Sequence, residues 1–354
     1  MCSSDLVNVK GCKYGTHRVL EPKGTLPQAA WRIDNTMRLY DNEILIDVDT
    51  LNIDAASFTQ IKKEAKEDNA EIARIVQDIV EKRGKHHNPV TGSGGMFIGR
   101  VKAIGPDIAS NINLRPGDRI ASLVSLTLTP LLIEEILEIR KDQDQIRVKG
   151  QAILFESGIF AKLPDDMPPP LALAVLDVAG APAQTARLVK PGDTVLVIGA
   201  GGKSGLLCLY EAQKRAGVTG KILGMGHSEA SHNRIVESDL ADHVFSLDAT
   251  KPLEVYEKVS DLTSGRLADV TINCVNIPGT EMASIMATKD GGVVYFFSMA
   301  TSFTAAALGA EGIGKDVNMI IGNGYTKGHA EIALSVLRES PILMKMFLER
   351  WAVS

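Results

Sequence analysis

The run Thr194-Val-Leu-Val-Ile-Gly-Ala-Gly-Gly-Lys-Ser-Gly205 holds the residues with the clearest chemistry. A β-branched and leucine stretch ends in clustered glycines, and Leu206-Leu-Cys-Leu-Tyr210 then begins an apolar stripe at helical spacing. A strand, a tight turn and a helix N-terminus in that order aim backbone N–H groups and the positive end of a helix dipole at phosphates. The glycines let a dinucleotide pyrophosphate come close. Gly199, Gly201, Gly202 and Gly205 are the expected turn and contact positions, and Lys203 and Ser204 add a cation and a hydroxyl. The next strand, Lys221-Ile-Leu-Gly-Met-Gly226, has no acid at its end to take a ribose 2′-hydroxyl. His227, Ser228, His232 and Arg234 follow instead, a set suited to a 2′-phosphate. NADP is therefore the expected cofactor, with NAD as the alternative. One carboxylate, Asp177, interrupts the apolar stretch Leu171-Ala-Leu-Ala-Val-Leu-Asp-Val-Ala-Gly180. Buried and unpaired it would be costly, so its place calls for a cationic partner, a substrate ammonium or a structural hydrogen bond.

Such a turn needs a parallel sheet behind it. Helical patterns near 170–188, 205–216, 229–239, 252–263 and 279–288 alternate with strand patterns at 194–199, 220–225, 243–247, 269–275, 291–298 and 317–322. That alternation predicts a doubly wound sheet with helices on both faces. A helical segment over 328–351, interrupted near Pro341, ends the chain. Before the proline-rich boundary at Pro164–Pro170 the pattern is different: short strands such as Glu43–Val48, Gly99–Ile104 and Asp118–Val124, separated by glycine and proline turns. Alternation puts Ile44, Ile46 and Val48 on one face. Two helical insertions interrupt the strands, over 60–83, closed by Gly84, and over 129–141. The reading is a β-rich domain over 1–165, a Rossmann-type α/β domain over 166–327 and a helical segment over 328–354.

Composition removes several classes of function. With a net charge of −5 and no long basic block there is no electrostatic case for a nucleic-acid partner. Nothing after Met1 reads as a basic then apolar leader, and Leu171–Ala183 is broken by Asp177, Gly180 and Pro182, so neither export nor a membrane span is expected. The expectation is a cytoplasmic protein, homo-oligomeric by the default for such folds. Cys2, Cys12, Cys208 and Cys274 form no CxxC pair, and Cys208 and Cys274 fit buried positions. His86 and His87 are adjacent, an arrangement that suits a loop surface better than a metal pair.

The order of these stretches resembles the medium-chain dehydrogenase/reductase superfamily. The likeness rests on Gly99-Arg-Val-Lys-Ala-Ile-Gly, Leu114-Arg-Pro-Gly-Asp-Arg-Ile120, Lys190-Pro-Gly-Asp-Thr-Val with the glycine run, Ala241-Asp-His-Val244, Asp269–Val275 and Gly291-Gly-Val-Val294. Within it, Gly11–Trp31, Ser93-Gly-Gly-Met-Phe-Ile-Gly99 and Phe296-Phe-Ser-Met-Ala-Thr-Ser-Phe303 are similar to the L-erythro-3,5-diaminohexanoate dehydrogenases of lysine fermentation. The resemblance implies a GroES-like β-rich catalytic domain beside the Rossmann domain. It also implies NAD(P)-dependent oxidative deamination of an amino-acid substrate, 3,5-diaminohexanoate, to 5-amino-3-oxohexanoate and ammonia.

Zinc-dependent members of the superfamily carry Gly-His-Glu where this chain has Gly94-Gly95-Met96, and Asp54 stands in the loop Leu51–Ala56 in place of cysteine. The expectation is hydride transfer without metal, helped by a carboxylate base, Asp177 or Asp54. Tyr14, His17, Arg18, Ser57, Thr301 and Tyr325 are further candidates for the substrate's other charged groups. Cys274, Val275, Ser298 and Met299 are candidates for the cofactor. Zinc-free quinone or enoyl reductases share the glycine turn and the missing ligands, and remain the alternative reading.

Overall fold

The computed structural model describes residues 10–298, 300–322 and 324–351. It divides into two compact units, the boundary falling between Asp165 and Asp166.

The first unit is built on an antiparallel sheet. A small ribbon, β1 (Val19–Glu21) with β2 (Arg32–Ile33), precedes it. The long strand β3 (Glu43–Ile53) pairs with β4 (Gly95–Ile104) on one side and β7 (Gln145–Phe155) on the other. With β5 (Arg119–Ser122), β6 (Leu131–Arg140) and β8 (Phe160–Lys162) the order is β6-β7-β3-β4-β5-β8. Ile44, Ile46 and Val48 alternate into the core as expected. Helices α1 (Ala55–Glu64), α2 (Asn69–Arg83) and the short α3 (Pro106–Ala109) complete the unit.

Three expectations for this unit are corrected. The helix expected over 60–83 is two helices, because Lys66 and Glu67 adopt left-handed φ values of 49° and 63° that turn the chain. Asp68 then caps α2 by accepting the Glu71 N–H. The expected helix over 129–141 is the strand β6. Bulges between Ile133 and Glu135 and between Ile136 and Glu138 each insert a residue, so the inward side chains are Leu131, Ile133, Ile136 and Ile139. Spacings of three, made by bulges, imitate a helical stripe. His86 is not on a surface loop: it is 0% exposed, and neither ring nitrogen meets a hydrogen-bond partner. The Gly84 carbonyl accepts the Leu131 N–H, which draws the segment after α2 against β6.

The second unit is a parallel sheet of order β11-β10-β9-β12-β13-β14. Its strands are β9 (Thr194–Ile198), β10 (Lys221–Gly226), β11 (His243–Ser246), β12 (Ala268–Asn273), β13 (Thr288–Phe296) and β14 (Asn318–Ile321). In chain order this is 3-2-1-4-5-6, the Rossmann arrangement, with its switch point between β9 and β12. Val195–Ile198 are wholly buried, as strands covered on both faces must be. The helices are α4 (Pro169–Leu176), α5 (Gly180–Leu188), α6 (Lys203–Ala216), α7 (Glu229–Ser238), α8 (Pro252–Thr263), α9 (Glu281–Met286), α10 (Phe303–Gly312), α11 (His329–Glu339) and α12 (Pro341–Trp351). The helix expected over 170–188 is thus broken at 177–179. α10, capped by the Ser302 side chain, was not anticipated. α11 packs on α4, α5 and α6, so the C-terminal helices belong to this unit. No helix among the described residues is long and apolar enough to cross a membrane.

Candidate active site

The glycine turn joins β9 to α6. Gly199 adopts φ 80°, and a Cβ on it would press on Val275 Cγ2 and the Cys274 backbone. A Cβ on Gly205 would run into the Gly199 carbonyl oxygen, and one on Gly201 into Ser231. Glycine is therefore required so that α6 and α7 can approach the strand ends. Gly202, in contrast, has only the Gly199 oxygen nearby at 3.5 Å and opens onto a cavity of about 340 Å³. The N-cap of α6 carries no side-chain cap, so the first-turn N–H groups have no side chain on them. Bare N–H groups, a helix dipole and a face open beside Gly202 fit a dinucleotide pyrophosphate.

The cavity runs along the ends of β9, β10 and β12 and includes Gly199, Gly202, Met225, Gly226, His227, Ser228, Ser231, Arg234 and Val275. Ser228 caps α7, its Oγ accepting the Ser231 N–H at 3.2 Å. Arg234 donates from Nε to the Gly201 carbonyl at 2.6 Å, which anchors the glycine turn to α7. Its terminal guanidinium nitrogens have no protein partner among the described residues. His232 lies off the cavity, 3.1 Å from Ser246 Oγ.

Two residues of the cavity and one behind it escaped the sequence reading. Asp248 and Thr250 line it beyond β11. The Thr250 N–H and hydroxyl both donate to Asp248 Oδ1 and hold its carboxyl below the usual range; the Asp-x-Thr turn was the available signal. Asn273, buried at the end of β12, accepts the Val275 N–H and donates to Thr280 and Ser284, setting the strand end against the turn.

The other cofactor candidates lie beside the cavity, not on it. Cys274 Sγ is 4.0 Å from Cys208 Sγ, and burial pushes the Cys208 thiol up, as suits an inert thiol. Ser298 donates to Asn276 Oδ1 at 3.3 Å. Met299 lies outside the described residues. Ser204 is buried in α6, and Lys203 points to another partner.

That partner is Asp177. Its carboxylate is 2.8 Å from Lys203 Nζ, and its side chain is 45% exposed. The expectation of a buried carboxylate is corrected: α4 ends at Leu176, and Asp177 leaves the packed face formed by Leu171–Leu176. Asp54, at the N-cap of α1, accepts the Gly94 N–H at 3.0 Å. Ser57 is fully buried, 2.6 Å from both Thr91 and Ser93 hydroxyls. Tyr14 is exposed beneath the Lys13 ammonium, Thr301 donates its N–H to the Ser298 carbonyl, and the exposed Tyr325 meets His329 edge to face.

His17 and Arg18 are taken up by structure. Arg18 is fully buried, bonding Glu43 through Nε and Nη2 at 2.7 Å each and the carbonyls of Thr36 and Arg38. Burial pushes the Glu43 carboxyl up, but hydrogen bonds from Arg18 and His17 outweigh it and the net shift is down. Among the described residues no three His, Cys, Asp or Glu side chains gather as a metal site.

A family model described as the L-erythro-3,5-diaminohexanoate dehydrogenase N-terminal domain matches residues 17–164. The L-erythro-3,5-diaminohexanoate dehydrogenase of Acetoanaerobium sticklandii is 60% identical over 339 residues, 96% of this chain and 98% of the relative. That of Fusobacterium nucleatum is 55% identical over 340 residues, 96% and 99% of the two chains. A mycobacterial protein solved in complex with NADPH shares the fold, with a TM-score of 0.52 at 17% identity over 88% of this chain and 82% of that one. At such identity over nearly the whole length, the chain belongs to the family of L-erythro-3,5-diaminohexanoate dehydrogenases.

Proposed function

We propose that the protein catalyses the NADP-dependent oxidative deamination of L-erythro-3,5-diaminohexanoate to 5-amino-3-oxohexanoate and ammonia, without a metal. The observation that carries this reading is the 60% identity to the Acetoanaerobium sticklandii enzyme across 96% of the chain. The glycine turn and the first turn of α6 would hold the pyrophosphate. His227, Ser228, Ser231 and Arg234 would hold the 2′-phosphate, and the absence of an acid at the end of β10 supports NADP over NAD. A bound nicotinamide supplies the hydride acceptor.

The chain's own part is proton handling. The ammonium on C3 must lose a proton before its carbon can release hydride, and the Asp177 carboxylate accepts that proton. Water then adds to the substrate iminium while the same side chain orients it, and ammonia departs. Asp177 is preferred to Asp54, whose bond to the Gly94 N–H at the start of α1 supports a structural role. A cytoplasmic homo-oligomer completes the reading, the usual state of such folds.

The test follows reduced cofactor at 340 nm while 3,5-diaminohexanoate is oxidised by wild type, Asp177→Asn and Asp54→Asn. Wild type turns over, and Asp177→Asn loses about 10²-fold or more in kcat. An inert wild type refutes the activity. A fully active Asp177→Asn refutes the choice of base.

A further inference from the structure

Lys203 opens α6 directly after Gly202, which lines the dinucleotide cavity. Backbone N–H groups at that turn would already serve the proposed phosphates, so a cation there is not required by the fold. Its ammonium is instead engaged by Asp177 at 2.8 Å, with side-chain exposures of 30% and 45%. A pair that open to water is weak, so either partner leaves readily for a stronger one. Each partner has one. The dinucleotide phosphates offer Lys203 several negative charges beside its own turn. A substrate ammonium is the same chemical group as the lysine Nζ and suits the same carboxylate oxygen. The pair sits where α4 breaks, and residues 171–176 and 179–183 on either side of the break are apolar or small and buried.

We propose that Lys203 is a positioning residue that holds Asp177 as an internal stand-in for the substrate ammonium until the cofactor phosphates draw it away. Cofactor binding thereby frees the carboxylate, and dinucleotide and diamine strengthen each other's binding by the same factor, as linkage requires. An exposed ion pair limits that factor to about two- to fivefold. The inference rests on the proposed role of Asp177 as acceptor of the substrate's ammonium proton.

The test measures binding by calorimetry on the full chain, with NADPH as the dinucleotide, so that the diamine binds without reacting. Wild type binds 3,5-diaminohexanoate about two- to fivefold tighter with saturating NADPH than without. Lys203→Met binds it equally with and without NADPH, at about the affinity wild type reaches only with NADPH, and binds NADPH more weakly. Lys203→Arg restores the coupling. A coupling factor of one in wild type, or an unchanged factor in Lys203→Met, overturns the proposal. If wild type oxidises the diamine at 340 nm while the coupling is absent, only this proposal falls. If wild type neither binds nor oxidises it, the proposed substrate falls as well.

Discussion

Replacing Arg234 by glutamine separates the bond its guanidinium makes from the 2′-phosphate contact proposed for it. Its Nε bond to the Gly201 carbonyl, at 2.6 Å, steadies the turn for any dinucleotide. Arg234 lines the cavity with His227, Ser228 and Ser231, and its terminal nitrogens, without a partner among the described residues, would take the proposed 2′-phosphate. Losing the first contact costs about 1 kcal/mol with either cofactor, a factor of roughly five. Losing a charge-assisted contact to phosphate costs about 1.5–3 kcal/mol with NADP alone. The half-buried position of Arg234 argues for the lower end, about tenfold. Kd values for NADPH and NADH, from calorimetry or from the fluorescence of the reduced nicotinamide, should therefore rise about fiftyfold and about fivefold respectively. The ratio is the informative quantity, because loosening of the turn cancels in it. Equal losses for both cofactors would mean that Arg234 is only a turn anchor. A wild type that binds NADH more tightly would refute the assignment of the 2′-phosphate.

Two further predictions concern stability. Burial pushes His86 down to about 4 from an ordinary 6.5, so the unfolded chain binds more protons between those values and stability rises with pH across that window. His86→Leu should remove on the order of 3 kcal/mol of that rise, at about 1.4 kcal/mol per pH unit, and leave stability near pH 7 unchanged or higher. Urea unfolding of both proteins from pH 4 to 7 checks it, and parallel slopes would contradict it. Arg18→Met leaves the Glu43 carboxylate buried with a reduced set of partners and should cost about 3–5 kcal/mol, with Glu43→Gln added to it recovering part. A loss below about 1 kcal/mol by the same assay would show that the pair is not paying back its desolvation.

What could be read from the chain alone was whatever depends on neighbouring residues. The turn after β9 needs φ 80° at Gly199 and bare backbone at 201 and 205, and those demands are written as glycines. The Gly84 helix stop with φ 72°, the alternation of Ile44, Ile46 and Val48, and the missing acid after Gly226 are local in the same sense. Their φ/ψ or periodic requirements are met, or not, within a few residues.

Burial and partnership depend on which elements pack together, and the chain does not carry that locally. Leu131–Arg140 has a helical spacing but is a strand, because pairing with β7 and two bulges outweigh the pattern. Asp177 reads as buried from its apolar neighbours, yet the end of α4 turns it out to meet Lys203, twenty-six residues away in sequence. Arg18 reads as a ligand for substrate, yet Glu43 and the carbonyls of Thr36 and Arg38 enclose it. Asp248 lines the cavity at the strand ends only because β11 lies next to β10 in the sheet. The glycine turn was legible because what it requires is backbone conformation. The exposure and the partner of Asp177 were not, since both are set by which elements tertiary packing brings together.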